Sequence, residues 1–129
     1  MINKNNRSLI SVNETIDALG RFIESTKDKG RDASFVVVRS DTYSPLQILS
    51  GKADRIYGSS SVKYKFSDFA YASLFGSHEI AEVTAVKARN DTHQPNVEVL
   101  NVMVAADRRM AFLIETRRLI IDKLRAKHG

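Results

Sequence analysis

Residues 33–39 read Ala-Ser-Phe-Val-Val-Val-Arg, and this stretch decides the fold class. Its centre is apolar and β-branched, without alternation between apolar and polar side chains. A short apolar run of this kind is typical of a strand covered on both faces, whereas a half-exposed strand alternates. The run therefore predicts the central strand of a sheet.

A helix is predicted immediately before this strand. Ser11 and Glu14 have the spacing of a capping box, and an apolar stripe at helical spacing follows them. Gly30 is suited to end the helix in a left-handed conformation. Residues 1–10 are predicted to be a flexible start, and residues 11–129 have the length of a single domain.

Shorter elements are predicted after the central strand. Ser44 and Pro45 indicate the start of a second helix, whose inward positions would be Leu46, Leu49, Ala53 and Ile56. Residues 62–66 alternate between apolar and lysine side chains, which predicts a half-exposed strand. Residues 69–75 are predicted to form a short apolar helix, with a strand as the alternative.

Two strands and a long helix are predicted in the last third of the chain. Residues 79–89 and 97–105 are predicted to pair antiparallel around a polar loop. Asp107 is the predicted cap of the last helix, whose apolar face continues for about five turns. Together these elements predict an α+β fold: a small mixed, largely antiparallel sheet of about four strands, flanked by an N-terminal and a long C-terminal helix.

The composition excludes several kinds of chemistry. The chain has no cysteine, which excludes disulfides, thiolate catalysis, thiolate zinc sites and iron–sulfur clusters. The first ten residues lack the apolar core of a signal peptide, and no apolar run approaches the length of a membrane span. We expect a cytoplasmic protein with no membrane contact, no cofactor and no metal site.

Positive charge is concentrated at the end of the sequence. Residues 107–129 contain seven Lys and Arg against three acidic residues, so they carry +4 of the net +5. A basic helix attracts phosphates, which predicts contact with an anionic partner, either nucleic acid or an acidic protein. The forked guanidinium donors suit phosphate and carboxylate groups. The predicted contact residues are Arg108, Arg109, Arg117, Arg118 and Arg125.

The same helix has a simpler interpretation as a solvated surface. Arg118 follows Glu115 by three residues, and Arg125 follows Asp122 by three, which are spacings that allow ion pairs within one helix. Cations in a last turn also interact favourably with the helix dipole without any ligand. The charge pattern alone leaves both interpretations open.

These features favour a non-enzymatic binding or regulatory protein that forms a small oligomer. The first alternative is an assembly or accessory protein of a phage, a plasmid or a larger complex, acting by protein–protein contacts. The second is a small metal-independent hydrolase or nuclease in which His78 and His93 serve as acid and base. No phosphate-loop, zincin or nucleophile-elbow spacing occurs in the sequence, which favours the non-enzymatic interpretation.

Overall fold

A computed structural model describes residues 4–40, 47–52, 64–67, 69, 72–93 and 95–128. Its elements, in chain order, are α1 (Lys4–Asp28), β1 (Phe35–Arg39), β2 (Gln47–Lys52), β3 (Tyr64–Ser67), α2 (His78–Thr92), β4 (Val97–Asn101) and α3 (Val102–His128). The strand order is β3-β2-β1-β4, and each neighbouring pair is antiparallel. The predicted α+β class is confirmed.

β1 is the buried centre of the molecule, as its apolar run predicts. Val36, Val37 and Val38 have no solvent-exposed surface. Because successive strand side chains point to opposite faces, Val36 and Val38 pack with α1 and α3, while Val37 packs with α2. Each of these burials stabilises the fold by roughly 1.5–3 kcal/mol relative to an exposed side chain.

The regular part of the sheet is smaller than predicted. β1 and β4 form a continuous antiparallel ladder from Phe35 opposite Asn101 to Arg39 opposite Val97. β2 joins β1 through two residue pairs, and its pairing with β3 is interrupted by a register shift between Leu49 and Lys52. The expectation of about four strands is therefore corrected, because the continuous ladder contains two strands and the other two join it irregularly.

The helix predicted from Ser44 is wrong where the structure describes it. Residues 47–52 form β2, and Ile48 is fully buried opposite Val38. Pairing with β1 thus overrides the local helix-start signal, while residues 44–46 and 53–56 of that prediction lie outside the described residues. Of the strand predicted over residues 62–66, the described part from Tyr64 onward belongs to β3.

Of the short helix predicted over residues 69–75, only a 3₁₀ turn at Phe69 is present among the described residues, where the Ala72 amide donates to the Phe69 carbonyl at 3.1 Å. Residues 72–74 are irregular, and Phe75 makes an isolated antiparallel bridge with Phe35. The Phe35 amide donates to the Phe75 carbonyl at 2.7 Å, and the Phe75 amide donates back at 2.8 Å. This bridge carries the chain past the start of β1 and into α2.

The strand predicted over residues 79–89 is wrong, because this segment forms α2. Ser77 caps the helix by accepting a hydrogen bond from the Ile80 amide. Ala81, Ala85 and Ala88 recur at helical spacing and are fully buried against the sheet. Small side chains let the helix approach closely, and α2 covers the face of the sheet opposite α1 and α3.

The last helix begins five residues before its predicted cap. β4 ends at Asn101, and α3 starts at the next residue with no loop between them. The Asn101 Oδ1 accepts hydrogen bonds from the amides of Met103 at 2.8 Å and Val104 at 3.3 Å. Asn101 is therefore the cap, and Asp107 lies inside the helix, which corrects both the strand end and the helix start.

The first helix also starts earlier than predicted. α1 begins at Lys4, so Ser11 and Glu14 lie within it and do not form a capping box. The helix packs along α3 in the opposite direction, with Leu19 of α1 and Leu113 of α3 in one buried cluster. The two helices form the layer that carries most of the candidate contact residues.

Candidate anion-binding surface

The five predicted contact arginines all lie on α3, but they do not share one side of it. A helix turns by about 100° per residue, so Arg108 and Arg117, nine positions apart, lie on opposite sides. The inner side is defined by Val102, Ala105, Ala106 and Leu113, which are buried. The structure therefore spreads these arginines around the helix and does not gather them into one patch.

Arg118 is held by two carboxylates of its own helix. Its Nε lies 3.1 Å from Glu115 Oε2, and its Nη1 lies 2.9 Å from Asp122 Oδ2. The hydrogen bond from Arg118 lowers the pKa of Glu115, and the same pairing raises the pKa of Arg118. The three residues together carry a charge of −1, so this arginine does not offer a free cation to a partner.

Arg108 and Arg109 are also engaged with nearby groups. Arg108 Nη1 lies 3.6 Å from Glu98 Oε1, in an exposed ion pair between α3 and β4. The Arg109 guanidinium lies over the ring of Phe112, 5.8 Å from its centroid, at cation–π distance. Arg117 and Arg125 make no ion pair with the residues that the structure describes.

A groove between the two long helices brings together cations that are far apart in the sequence. It has a volume of about 710 Å³. We call it the helix groove, and its lining residues are Arg7, Ser8, Ser11, Val12, Thr116, Ile120 and Lys123. The described lining residues include two cations, three hydroxyls and no carboxylate, and they present positive charge and hydrogen-bonding groups above an apolar floor.

A second concave surface lies at the other end of α1. It has a volume of about 570 Å³. We call it the α1 pocket, and its lining residues are Ala18, Arg21, Phe22, Ser25, Thr26, Lys29, Arg31, Ala72 and Leu74. Three cations and two hydroxyls converge here, and no carboxylate is among the lining residues that belong to the described part of the chain.

Neither concave surface was predicted from the sequence, for a physical reason. Arg7 lies in the segment expected to be a flexible start, and Lys123 is 116 positions further along the chain. Arg21 and Arg31 lie in a part of the chain whose charge is nearly balanced. Only the antiparallel packing of α1 and α3 shows that Arg7 and Lys123 are neighbours.

The two histidines considered for catalysis are not brought together. His78 is the first residue of α2 and its ring lies edge-on to Phe35, with centroids 5.2 Å apart. His93 follows the last turn of the same helix in a left-handed conformation with φ 53°. Fifteen residues at about 1.5 Å each separate them by about 22 Å, too far to act on one bond.

The described residues contain neither a metal-ion site nor a helix that could span a membrane. Among the described residues, no group of three or more His, Cys, Asp or Glu side chains is arranged to hold a metal ion. None of the helices in the described ranges is both long and apolar enough to cross a bilayer.

A scan of protein-family models, a search of curated proteins and a search of solved structures each found no match to this chain.

Proposed function

We propose that this chain is a non-enzymatic nucleic-acid-binding protein whose contact surface is the helix groove. The observation that carries the proposal is the placement of Arg7 and Lys123 in one groove with no carboxylate among the lining residues that the structure describes. Such a surface attracts phosphates and releases their counterions on binding. Nucleic acid is the preferred polyanion because its phosphates are regularly spaced along an extended strand.

The hydroxyls of the groove support the same assignment. Ser8 and Ser11 line it beside the two cations, while the Thr116 hydroxyl donates its proton to the Phe112 carbonyl at 2.9 Å within α3. Serine and threonine hydroxyls commonly donate to phosphate oxygens, and contacts of this kind position a protein without reading the base sequence. The proposal therefore expects binding with little sequence preference.

Arg117 and Arg125 lie on other sides of α3 than the groove, because Arg125 is two positions, or about 200°, from Lys123 and Arg117 is six positions, or about 120°, from it. Both make no ion pair with a described residue, in contrast to Arg118 between its two carboxylates. Of the five arginines predicted from the sequence, these two are the ones whose charge remains available to phosphates. The proposal gives Arg118 no role in binding.

The decisive experiment measures binding of a fluorescent duplex oligonucleotide by anisotropy over a range of salt concentrations. The double variant R7Q/K123Q removes the groove cations. The matched control K27Q/K87Q removes two exposed lysines outside the groove, so both variants have the same net charge. The slope of log K against log salt is expected to fall in magnitude by about 1.8 for the groove variant, about 0.9 per lost phosphate contact, and to change little for the control.

Three outcomes overturn this proposal. The first is no binding at about 50 mM salt, where electrostatic binding is strong. The second is an equal loss in both double variants, because net charge alone would then explain the binding. A poly-glutamate peptide serves as the competitor, and if it binds as tightly as the oligonucleotide, the groove recognises acidic polypeptide and the nucleic-acid assignment is wrong.

Self-association is the second candidate, and exposed apolar side chains on α3 favour it. Val104, Phe112 and Leu119 are between 41% and 48% exposed, and their spacing places them within one outward-facing side of the helix. An exposed apolar row of this kind suits a second helix. Light scattering after size exclusion is expected to show a dimer that the variant F112E/L119E converts to a monomer. A strict monomer of the unmodified protein at high concentration contradicts it.

A further inference from the structure

The α1 pocket is separate from the helix groove and is formed by the way α1 ends. Gly30 adopts a left-handed conformation with φ 67°, directly after the last turn of the helix. The Arg31 amide then donates to the Thr26 carbonyl at 2.9 Å, and the Gly30 amide donates to the Lys27 carbonyl at 3.0 Å. This pair of hydrogen bonds is a Schellman motif, which turns the chain back and places Arg31 beside the end of α1.

Three cations consequently converge on one concavity from two directions. Arg21 comes from α1, whereas Lys29 and Arg31 come from the turn that follows it. None of the three forms an ion pair within the part of the chain that the structure describes. The acids closest to these cations in the sequence, Asp17, Glu24, Asp28 and Asp32, are exposed and are not among the described lining residues of the pocket.

Favourable interaction with the helix dipole explains only part of this arrangement. Lys29 and Arg31 lie near the C-terminus of α1, where a cation stabilises the helix without any ligand. That effect falls off within the last turn, and Arg21 lies seven residues before the end of the helix at Asp28. The position of Arg21 in the same pocket is therefore not accounted for by the dipole.

The floor of the pocket is apolar and firmly held. Phe22, Ala72 and Leu74 line it and are half-buried. The Phe22 ring packs edge-on against the buried ring of Phe69, with centroids 5.3 Å apart. A ligand that fits this surface carries negative charge at one end and an apolar or aromatic group at the other.

We propose that the α1 pocket binds a small organic phosphate, with Arg21, Lys29 and Arg31 on the phosphate and Phe22 beneath an apolar or aromatic group. Arginine pairs with phosphate through two parallel hydrogen bonds, and the adjacent Ser25 hydroxyl is placed to add another. This site shares no lining residue with the helix groove. Its test therefore succeeds or fails independently of nucleic-acid binding.

The test compares phenyl phosphate with inorganic phosphate by NMR titration of the backbone amides. We expect phenyl phosphate to bind about tenfold more tightly, because only its ring can contact the apolar floor. The largest shifts are expected for the amides of Ser25, Thr26 and Arg31. R21Q and R31Q should each weaken binding about tenfold, as expected for the loss of one charged hydrogen-bonding group, while K87Q should not change it.

Several results of the titration would contradict the proposed site. Shifts spread over all exposed lysines and arginines, or an equal effect of K87Q, would mean nonspecific screening of charge. Equal affinity for phenyl phosphate and inorganic phosphate would mean that the apolar floor does not contribute to binding.

Sedimentation with vesicles containing phosphatidic acid identifies the source of the phosphate. If the protein pellets with the vesicles and R31Q abolishes this pelleting, the ligand is a lipid headgroup. If the protein does not pellet, the ligand is a soluble phosphate ester.

Discussion

Replacing Asn101 tests the junction on which the architecture depends. Its Oδ1 caps α3 by accepting from the Met103 and Val104 amides, while its Nδ2 donates to the Asp32 carbonyl at 3.1 Å. N101A removes both functions. Loss of an N-cap costs about 1 kcal/mol, and loss of a partly exposed hydrogen bond about 0.5 kcal/mol. We expect the free energy of unfolding to fall by about 1.5 kcal/mol.

The variant N101D separates the two contributions. Aspartate keeps the oxygen that caps the helix, and its charge interacts favourably with the positive end of the helix dipole. It lacks the amide that donates to Asp32. We therefore expect N101D to lose less than about half of what N101A loses.

The measurement is urea denaturation, with the unfolding midpoint compared between variants. For a slope of about 2 kcal/mol per molar urea, N101A lowers the midpoint by about 0.7 M. D107A is the control, because Asp107 is exposed inside α3 and alanine has the higher helix propensity; we expect no loss of stability. A midpoint for N101A equal to that of the unmodified protein, or a larger loss in D107A, would refute the assigned cap.

Three further predictions follow from packing and electrostatics. A85L places extra volume where Ala85 is fully buried between α2 and the sheet, and denaturation should show a loss of about 1–3 kcal/mol. G30A should destabilise by about 1–2 kcal/mol because Gly30 has a positive φ, whereas G20A, in a helix and with no atom near the added methyl, should stabilise; an equal effect of the two contradicts this. R118Q should raise the pKa of Glu115 toward its ordinary value in an NMR titration, and an unchanged pKa would contradict the pairing. Since Arg118 lowers the folded-state pKa of Glu115, the stabilisation from this pair is present above the unfolded-state pKa and is lost as the pH falls through the folded-state pKa.

The parts of the fold that the sequence predicts are those in which local pattern and tertiary environment agree. The continuous β-branched run of β1 has no good helical alternative, and it is buried as expected. The apolar stripe of α1 likewise identifies the helix, since Ile16, Leu19 and Phe22 all reach the core cluster. Only the start of α1 is misplaced, because a capping-box sequence also fits inside a helix.

The misassignment of α2 has a specific cause. Its buried stripe consists of alanines, which contribute little to a hydrophobic pattern, while Ile80, Val83 and Val86 are 60%, 55% and 41% exposed. The most hydrophobic and most β-prone side chains of the segment therefore face outward. Hydrophobic periodicity depends mainly on large apolar side chains, and in α2 these lie on the exposed face of the helix.

The junction between β4 and α3 is misplaced in the sequence-based prediction for a different reason. Val97 is buried on the α2 side, Leu100 packs on the α1 and α3 side, and Val102 and Ala105 continue the apolar character into the helix. No turn residue interrupts this run. The change from strand to helix occurs at Asn101 because of its side chain. Its Oδ1 accepts from backbone amides of the first turn of α3, and its Nδ2 donates to the Asp32 carbonyl.

A count of charged residues along the sequence does not show which cations are paired with acids in the folded protein. The excess of +4 over residues 107–129 is real, but Arg118 is offset by two carboxylates and Arg108 by Glu98. An exposed pair of this kind contributes little to stability and leaves little field for a partner. Arg7 and Lys123 gain their significance from a groove whose described lining residues include no carboxylate. The candidate site is therefore defined by which cations lack acidic neighbours, a property that exists only once α1 and α3 have packed together.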